Sequence, residues 1–106
     1  METTYRRSEP SRTDIDALAG AALLEFGTSW CGYCRSIQSA LGTALSHHPS
    51  VQHIKVEDGP GRPLGRSFGV KLWPTLVFLR DGKEIARLVR PRGGGEIEEA
   101  LRRVTV

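Results

Sequence analysis

Cysteine is scarce in this chain. The 106 residues hold only two, Cys31 and Cys34, with one methionine and two tryptophans. Two cysteines cannot build the multi-bridge framework of a small secreted domain. Spaced as C-x-x-C, they form a pair that in a reducing compartment is redox-active or metal-binding. Long apolar runs are also missing. No stretch approaches the roughly 18–20 apolar residues that span a bilayer, and residues 1–12 lack the apolar middle of a secretory signal. The chain is therefore expected in the cytoplasm, with no membrane partner. Lysine is rare: Lys55, Lys71 and Lys83 leave arginine to supply most of a net charge of +3. The basic residues are scattered among acids and lack base-stacking aromatics, which reads as a solvated face and not a nucleic-acid surface. What is present, 39% hydrophobic and 25% charged residues, suits one globular domain able to bury a core.

The cysteine pair lies where a strand pattern meets a helix pattern. Residues 21–26 form a near-continuous apolar run, expected of a strand covered on both sheet faces. Residues 27–29 read as the connecting loop. Cys34, Ile37, Leu41, Ala44 and Leu45 then recur at helical spacing, so one long helix is expected from about Cys31 to His48, ended by Pro49. A helix N-terminus presents unpaired N–H groups and about half a positive charge. Both favour the thiolate at Cys31, which is the reactive species. Two intervening residues let the sulfurs close a small ring, so the pair can cycle between dithiol and disulfide.

The rest of the chain reads as alternating elements. Residues 1–12 are expected to be a flexible segment or a short edge strand anchored by Tyr5. Thr13 is the expected N-cap of a short helix stopped by Gly20. Residues 51–56 alternate as a strand, 58–63 carry turn chemistry, and 64–68 form a short helix stopped by Gly69. Residues 75–80 and 84–89 make a hairpin around Asp81-Gly82. A final helix presents Ile97, Ala100, Leu101 and Val104 on one face. The connection through the long helix requires a right-handed crossover between parallel strands. The expected fold is α/β, a mixed sheet of four to five strands with helices on both faces, in one domain over residues 13–106.

These pieces resemble the thioredoxin family. The likeness covers roughly residues 13–106 and rests on four features. They are the strand ending Leu24-Glu25-Phe26, the Trp30-Cys31-Gly32-Tyr33-Cys34 motif, Trp73-Pro74-Thr75 before the hairpin, and Asp81-Gly82-Lys83 at its turn. The resemblance implies a thioredoxin fold and a protein-disulfide reductase or exchange activity. Its redox-active disulfide would be Cys31–Cys34, with no cofactor and no metal. Cys31 matches the exposed attacking cysteine and Cys34 the half-buried resolving one. Pro74 matches the family's cis-proline, and the backbone of Trp73 before it would pair with an incoming peptide. Trp30, Gly32, Tyr33, Trp73, Pro74 and Thr75 thus form the implied substrate-binding set. The implied partners are disulfide-containing proteins and a thioredoxin-reductase-like electron donor, with the chain as a monomer. Glu25 falls where thioredoxins carry a buried acid, and Lys55 near the lysine beside it. Some positions depart from the family pattern. Gly-Tyr replaces Gly-Pro between the cysteines, Trp73 replaces a small aliphatic residue, and Arg90-Pro91 replaces a small loop. Ser39 replaces a kinking proline, so a straighter helix is expected.

Glu25 can also be argued without the family. A carboxylate within an apolar central strand is costly to leave charged. Its pKa is expected to rise, which would suit exchange of a proton with Cys34. Trp30 reads as a docking surface or as a lid over the helix start. Two rival functions stand beside the redox reading. Cys31, Cys34, His47 and His53 satisfy a Cys2His2 zinc count, but a helix of about 16 residues is about 24 Å long and would hold the histidines away from the cysteines. The other rival is a non-catalytic binding module of the same fold.

Overall fold

The computed structural model describes all 106 residues. Strand β1, Ala21–Gly27, is buried along its whole length, which explains its apolar run. Strand β2, Gln52–Glu57, pairs parallel to one side of it. Strand β3, Thr75–Arg80, pairs antiparallel to the other, and β4, Lys83–Val89, closes a four-stranded sheet in the order β2-β1-β3-β4. The segment before the first helix adds one parallel bridge, Arg6 to Val56.

Five helices flank this sheet: α1 at Arg12–Asp16, α2 at Gly32–Ser36, α3 at Gln38–Ser46, α4 at Pro63–Ser67 and α5 at Gly94–Thr105. Helix α1 starts two residues earlier than its sequence suggests. Ser11, not Thr13, is the N-cap, and Asp14 completes a capping box with it.

The single helix expected from Cys31 to His48 is interrupted. Ile37, at φ −93° and ψ −5°, separates α2 from α3, well away from the helical ψ of about −42°. No proline is needed for this break, so Ser39 does not leave the helix straight. The Gln38 side-chain amide donates to the Cys34 carbonyl at 2.7 Å. A side chain inserted into the carbonyl ladder is a recognised cause of a kink.

Side chains alternate between the two sheet faces. Leu23, Leu76 and Phe78 pack with Leu41, Ile97 and Leu101 beneath α3 and α5. Leu24, Phe26, Val77 and Leu79 pack on the opposite face with Ile15, Leu64 and Phe68. Glu25 shares the face of Leu23, so its carboxylate enters the layer below the cysteine-bearing helix. On β2, His53 and Lys55 alternate with Ile54 and Val56, which belong to the opposite face. Two polar side chains of β2 therefore converge on the Glu25 side.

The β3–β4 turn uses Asp81 at φ 50° and Gly82 at φ 78°, the left-handed pair that a tight hairpin turn requires. Asp81 Oδ1 also accepts the Gly20 N–H at 2.7 Å, tying the hairpin to the start of β1. At the far end of α3, His47 and His48 bond Glu98 of α5 at 3.2 and 2.6 Å.

Candidate active site

Cys31 is the N-cap of α2. Its backbone is extended, at φ −78° and ψ 119°, and its sulfur accepts the Cys34 N–H at 3.1 Å. Both thiols are free. The sequence reading expected an exposed Cys31 and a half-buried Cys34, but they are 8% and 1% exposed. The cap bond accounts for this, because it turns the Cys31 sulfur inward over the first turn. The exposed residues are its neighbours, Trp30 at 72% and Tyr33 at 60%. Burial pushes the Cys34 thiol up to about 11, and its contact with Cys31 acts in the same direction.

Of the substrate-binding set implied by the sequence, the structure brings Trp30 to Trp73 and places Tyr33 and Pro74 along one groove. The Trp73–Pro74 peptide is cis. The Trp73 indole donates to Asp58 at 2.8 Å and meets the Trp30 ring edge-on, with centroids 5.6 Å apart. Trp30 and Trp73 therefore form one aromatic wall. A groove of about 710 Å³ runs from Tyr33 and Ile37 past Pro74 to Val89 and Arg90. Gly32 is exposed, with open space where a side chain would project. Thr75 is buried and its hydroxyl donates to the Leu72 carbonyl at 2.6 Å, so its side chain serves the loop.

Arg90 engages the backbone on both sides of the cis bond. Its Nε donates to the Trp73 carbonyl at 2.8 Å, while its own N–H donates to the Pro74 carbonyl at 2.9 Å. Its guanidinium lies 4.3 Å from the Tyr33 ring centroid, a cation–π contact. Arg90 adopts φ 50°, a left-handed conformation unusual for a side chain of this size.

Beneath the cysteines, Glu25 is the centre of a buried polar cluster. Its Oε1 lies 2.8 Å from His53 Nε2. Its Oε2 accepts from Gln38 Nε2 at 2.8 Å and from the Tyr5 hydroxyl at 3.4 Å, and lies 3.5 Å from Lys55 Nζ. Lys55 also donates to Gln38 Oε1 at 2.9 Å and sits 4.5 Å from the Tyr5 ring centroid. The expected rise in the Glu25 pKa is reversed. Burial does push it upward, but hydrogen bonds from His53 and Gln38 and the charge of Lys55 outweigh burial and hold it below the ordinary value.

Tyr5 brings this cluster to the thiol. A Cβ placed on Gly27 would meet Cys34 Sγ at 2.5 Å and the Tyr5 hydroxyl at 3.0 Å. The glycine thus allows strand β1, the tyrosine and the sulfur to approach one another. Burial and the Glu25 charge push the Tyr5 phenol above its ordinary value, so it stays protonated as a donor.

Sequence reasoning did not assign His53, Gln38, Tyr5, Asp58 and Arg90 to roles around Glu25, Cys34 and Trp73. One signal was available, since His53 lies two residues before Lys55 and so on the same strand face. The zinc count finds other partners: His53 bonds Glu25, His47 bonds Glu98. No three His, Cys, Asp or Glu side chains are grouped as metal ligands would be.

The thioredoxin family model matches residues 6–103. The solved structure of thioredoxin 2 from Pseudomonas aeruginosa, in its reduced form, is 55% identical. It superposes with a TM-score of 0.88 over 99% of this chain and 97% of that one. Protein disulfide-isomerase A2 of Pongo abelii is 38% identical over 78% of this chain, which spans 17% of the isomerase's length. Thioredoxin of Chlamydia muridarum is 37% identical over 70% of this chain and 74% of its own length.

Proposed function

Because the chain belongs to the thioredoxin family, we propose that it is a thiol–disulfide oxidoreductase working on disulfides of protein partners. The observation that carries this reading is the free Cys31/Cys34 pair, with one sulfur capping α2 and the other buried one turn on. In the reductive direction, Cys31 as thiolate attacks one sulfur of the partner's disulfide. That S–S bond breaks, a partner thiolate leaves, and a mixed disulfide forms. Cys34 then gives up its proton and attacks the Cys31 sulfur. The mixed disulfide breaks, the partner's second sulfur leaves as a thiolate that takes up a proton, and Cys31–Cys34 becomes the disulfide. Two electrons have passed to the partner.

The second step needs a base. Burial favours the protonated form of the Cys34 thiol, so little of it is ionised at neutral pH without help. Glu25 Oε2 is the transient acceptor, reached past the Tyr5 hydroxyl that bonds it and crowds the sulfur; held below its ordinary value, the carboxyl passes the proton on and does not keep it. Lys55 offsets the charge of that carboxylate before transfer. The aromatic wall of Trp30 and Trp73, together with Tyr33, Pro74 and Arg90, forms the docking groove.

The pair returns to the dithiol by exchange with a dithiol donor of the thioredoxin-reductase kind. The cytoplasm is the setting this cycle suits, because a reducing compartment keeps such a pair from resting as a structural bridge. The test is dithiothreitol-driven reduction of a disulfide-bonded protein, followed by precipitation of a released chain. The wild-type chain accelerates it, and Cys31→Ser and Cys34→Ser each remove the acceleration. Equal rates with and without both cysteines would replace this reading with the binding module.

A further inference from the structure

Of the side chains that touch Glu25, Tyr5 and Lys55 have parts in the exchange and Gln38 ties the carboxylate to the helix break, which leaves His53. His53 is buried on β2 and bridges two groups. Its Nε2 lies 2.8 Å from Glu25 Oε1, and its Nδ1 accepts the backbone N–H of Glu2 at 3.0 Å. A backbone amide can only donate, so Nδ1 carries no proton in this arrangement. The remaining neutral form has its proton on Nε2 and donates it to Glu25.

The two carboxylate oxygens are thereby divided. Oε1 is taken by His53, and Oε2 faces Gln38, Lys55 and Tyr5 on the cysteine side. We infer that His53 is a positioning residue of the exchange: locked as the Nε2–H tautomer by the Glu2 amide, it holds Glu25 as a carboxylate with Oε2 turned toward Cys34. The inference rests on the exchange reading above and adds to it a residue that never touches the reacting sulfurs.

The lock is anchored on both sides. Glu2 Oε1 accepts the Lys55 backbone N–H at 3.0 Å, and the Glu2 carboxylate pairs with Arg6 at 2.9 Å. The Arg6 N–H donates to the Lys55 carbonyl at 3.0 Å. The charged and titratable groups around His53 are therefore Glu25 from β1, Lys55 on β2, and Glu2 and Arg6 from the opening segment. His48, at the end of α3, lines the same small cavity. Protonation of His53 at Nδ1 would require the Glu2 amide to leave.

Two measurements test the inference. Nitrogen-15 NMR of the imidazole in the full chain at about pH 8 should show the Nε2-protonated tautomer, with Nδ1 unprotonated. An imidazolium or an Nδ1–H tautomer there overturns it. The second measurement is the pH profile of mixed-disulfide resolution in His53→Leu and His53→Gln, with carbon-13 NMR reading the Glu25 carboxyl directly. Leucine cannot donate, so the Glu25 inflection should move up by about one to two pH units. Resolution should then fall about threefold or more below wild type near pH 5.5 and rejoin it near pH 8. Glutamine can donate to Glu25 and accept the Glu2 amide, so it should restore most of the wild-type profile. A leucine profile parallel to wild type, with an unmoved Glu25 titration, reduces His53 to a packing residue and overturns the inference. If the exchange reading itself were wrong, wild type would show no Cys34-dependent resolution, while both NMR readouts would still report on the lock.

Discussion

Replacing Glu25 with glutamine separates two opposite accounts of the buried carboxyl. The substitution removes the only ionised partner of Lys55, 3.5 Å away and with its side chain 4% exposed. It also changes one acceptor oxygen into a donor amide. At the Oε2 position that amide would face Gln38 Nε2, and at Oε1 it would face His53 Nε2–H. The histidine cannot switch tautomer to relieve the second conflict without losing the Glu2 amide at 3.0 Å. Breaking a buried pair by removing one partner costs about 3–5 kcal/mol. Lys55 keeps Gln38 Oε1 at 2.9 Å and the Tyr5 ring, so a loss of about 2–4 kcal/mol is expected. For a domain of this size that is a fall in Tm of roughly 10–20 °C. The folded carboxyl sits below its ordinary value, so its contribution is fully present above the unfolded value of about 4.3. It is lost as pH falls through the folded value. The gap between wild type and Glu25→Gln should therefore be constant from about pH 6 to 8 and shrink below about pH 4. Urea unfolding followed by tryptophan fluorescence measures it. A variant as stable as wild type at neutral pH, or more so, refutes the reasoning. That is the outcome for a carboxyl held above its ordinary value, where substitution lifts a burial penalty.

Two more substitutions probe the neighbourhood of the sulfurs. Gly27→Ala would place a Cβ 2.5 Å from Cys34 Sγ and 3.0 Å from the Tyr5 hydroxyl. It should cost about 1–3 kcal/mol by overpacking and slow the Cys34 step in stopped-flow exchange, and an unchanged rate would show that the sulfur has room to move. Arg90→Ala frees the Trp73 carbonyl now held at 2.8 Å. The KM for an extended disulfide peptide should fall a few-fold because that carbonyl becomes available to an added strand. A rise in KM would instead make Arg90 a direct contact of the peptide.

The framework was legible because its signals are local. The apolar run of β1 reports burial on both faces, Asp81-Gly82 dictates its own turn, and the apolar stripe of α5 lies within one helix. The cysteine pair was legible for the same reason. The helix break at Ile37 was not, since it turns on where one glutamine side chain points, and the absence of proline at Ser39 pointed the other way. The acidity of Glu25 was read with the wrong sign for a related reason. Its burial was visible in its strand, but the groups that offset burial lie 13 and 28 residues along the chain, at Gln38 and His53. Tyr5 lies in a segment whose composition gave no hint of contact with the sulfurs. Depth at Cys31 was also hidden, because a cap bond of the sulfur to its own helix cannot be seen in spacing alone.

The central claim is that Cys31 attacks and Cys34 resolves. Incubation of Cys34→Ser with a disulfide-bonded protein, followed by non-reducing electrophoresis and peptide mapping, tests it directly. A stable adduct through Cys31 is expected, with none from Cys31→Ser. Adducts through Cys34 in Cys31→Ser, and none from Cys34→Ser, would contradict the account.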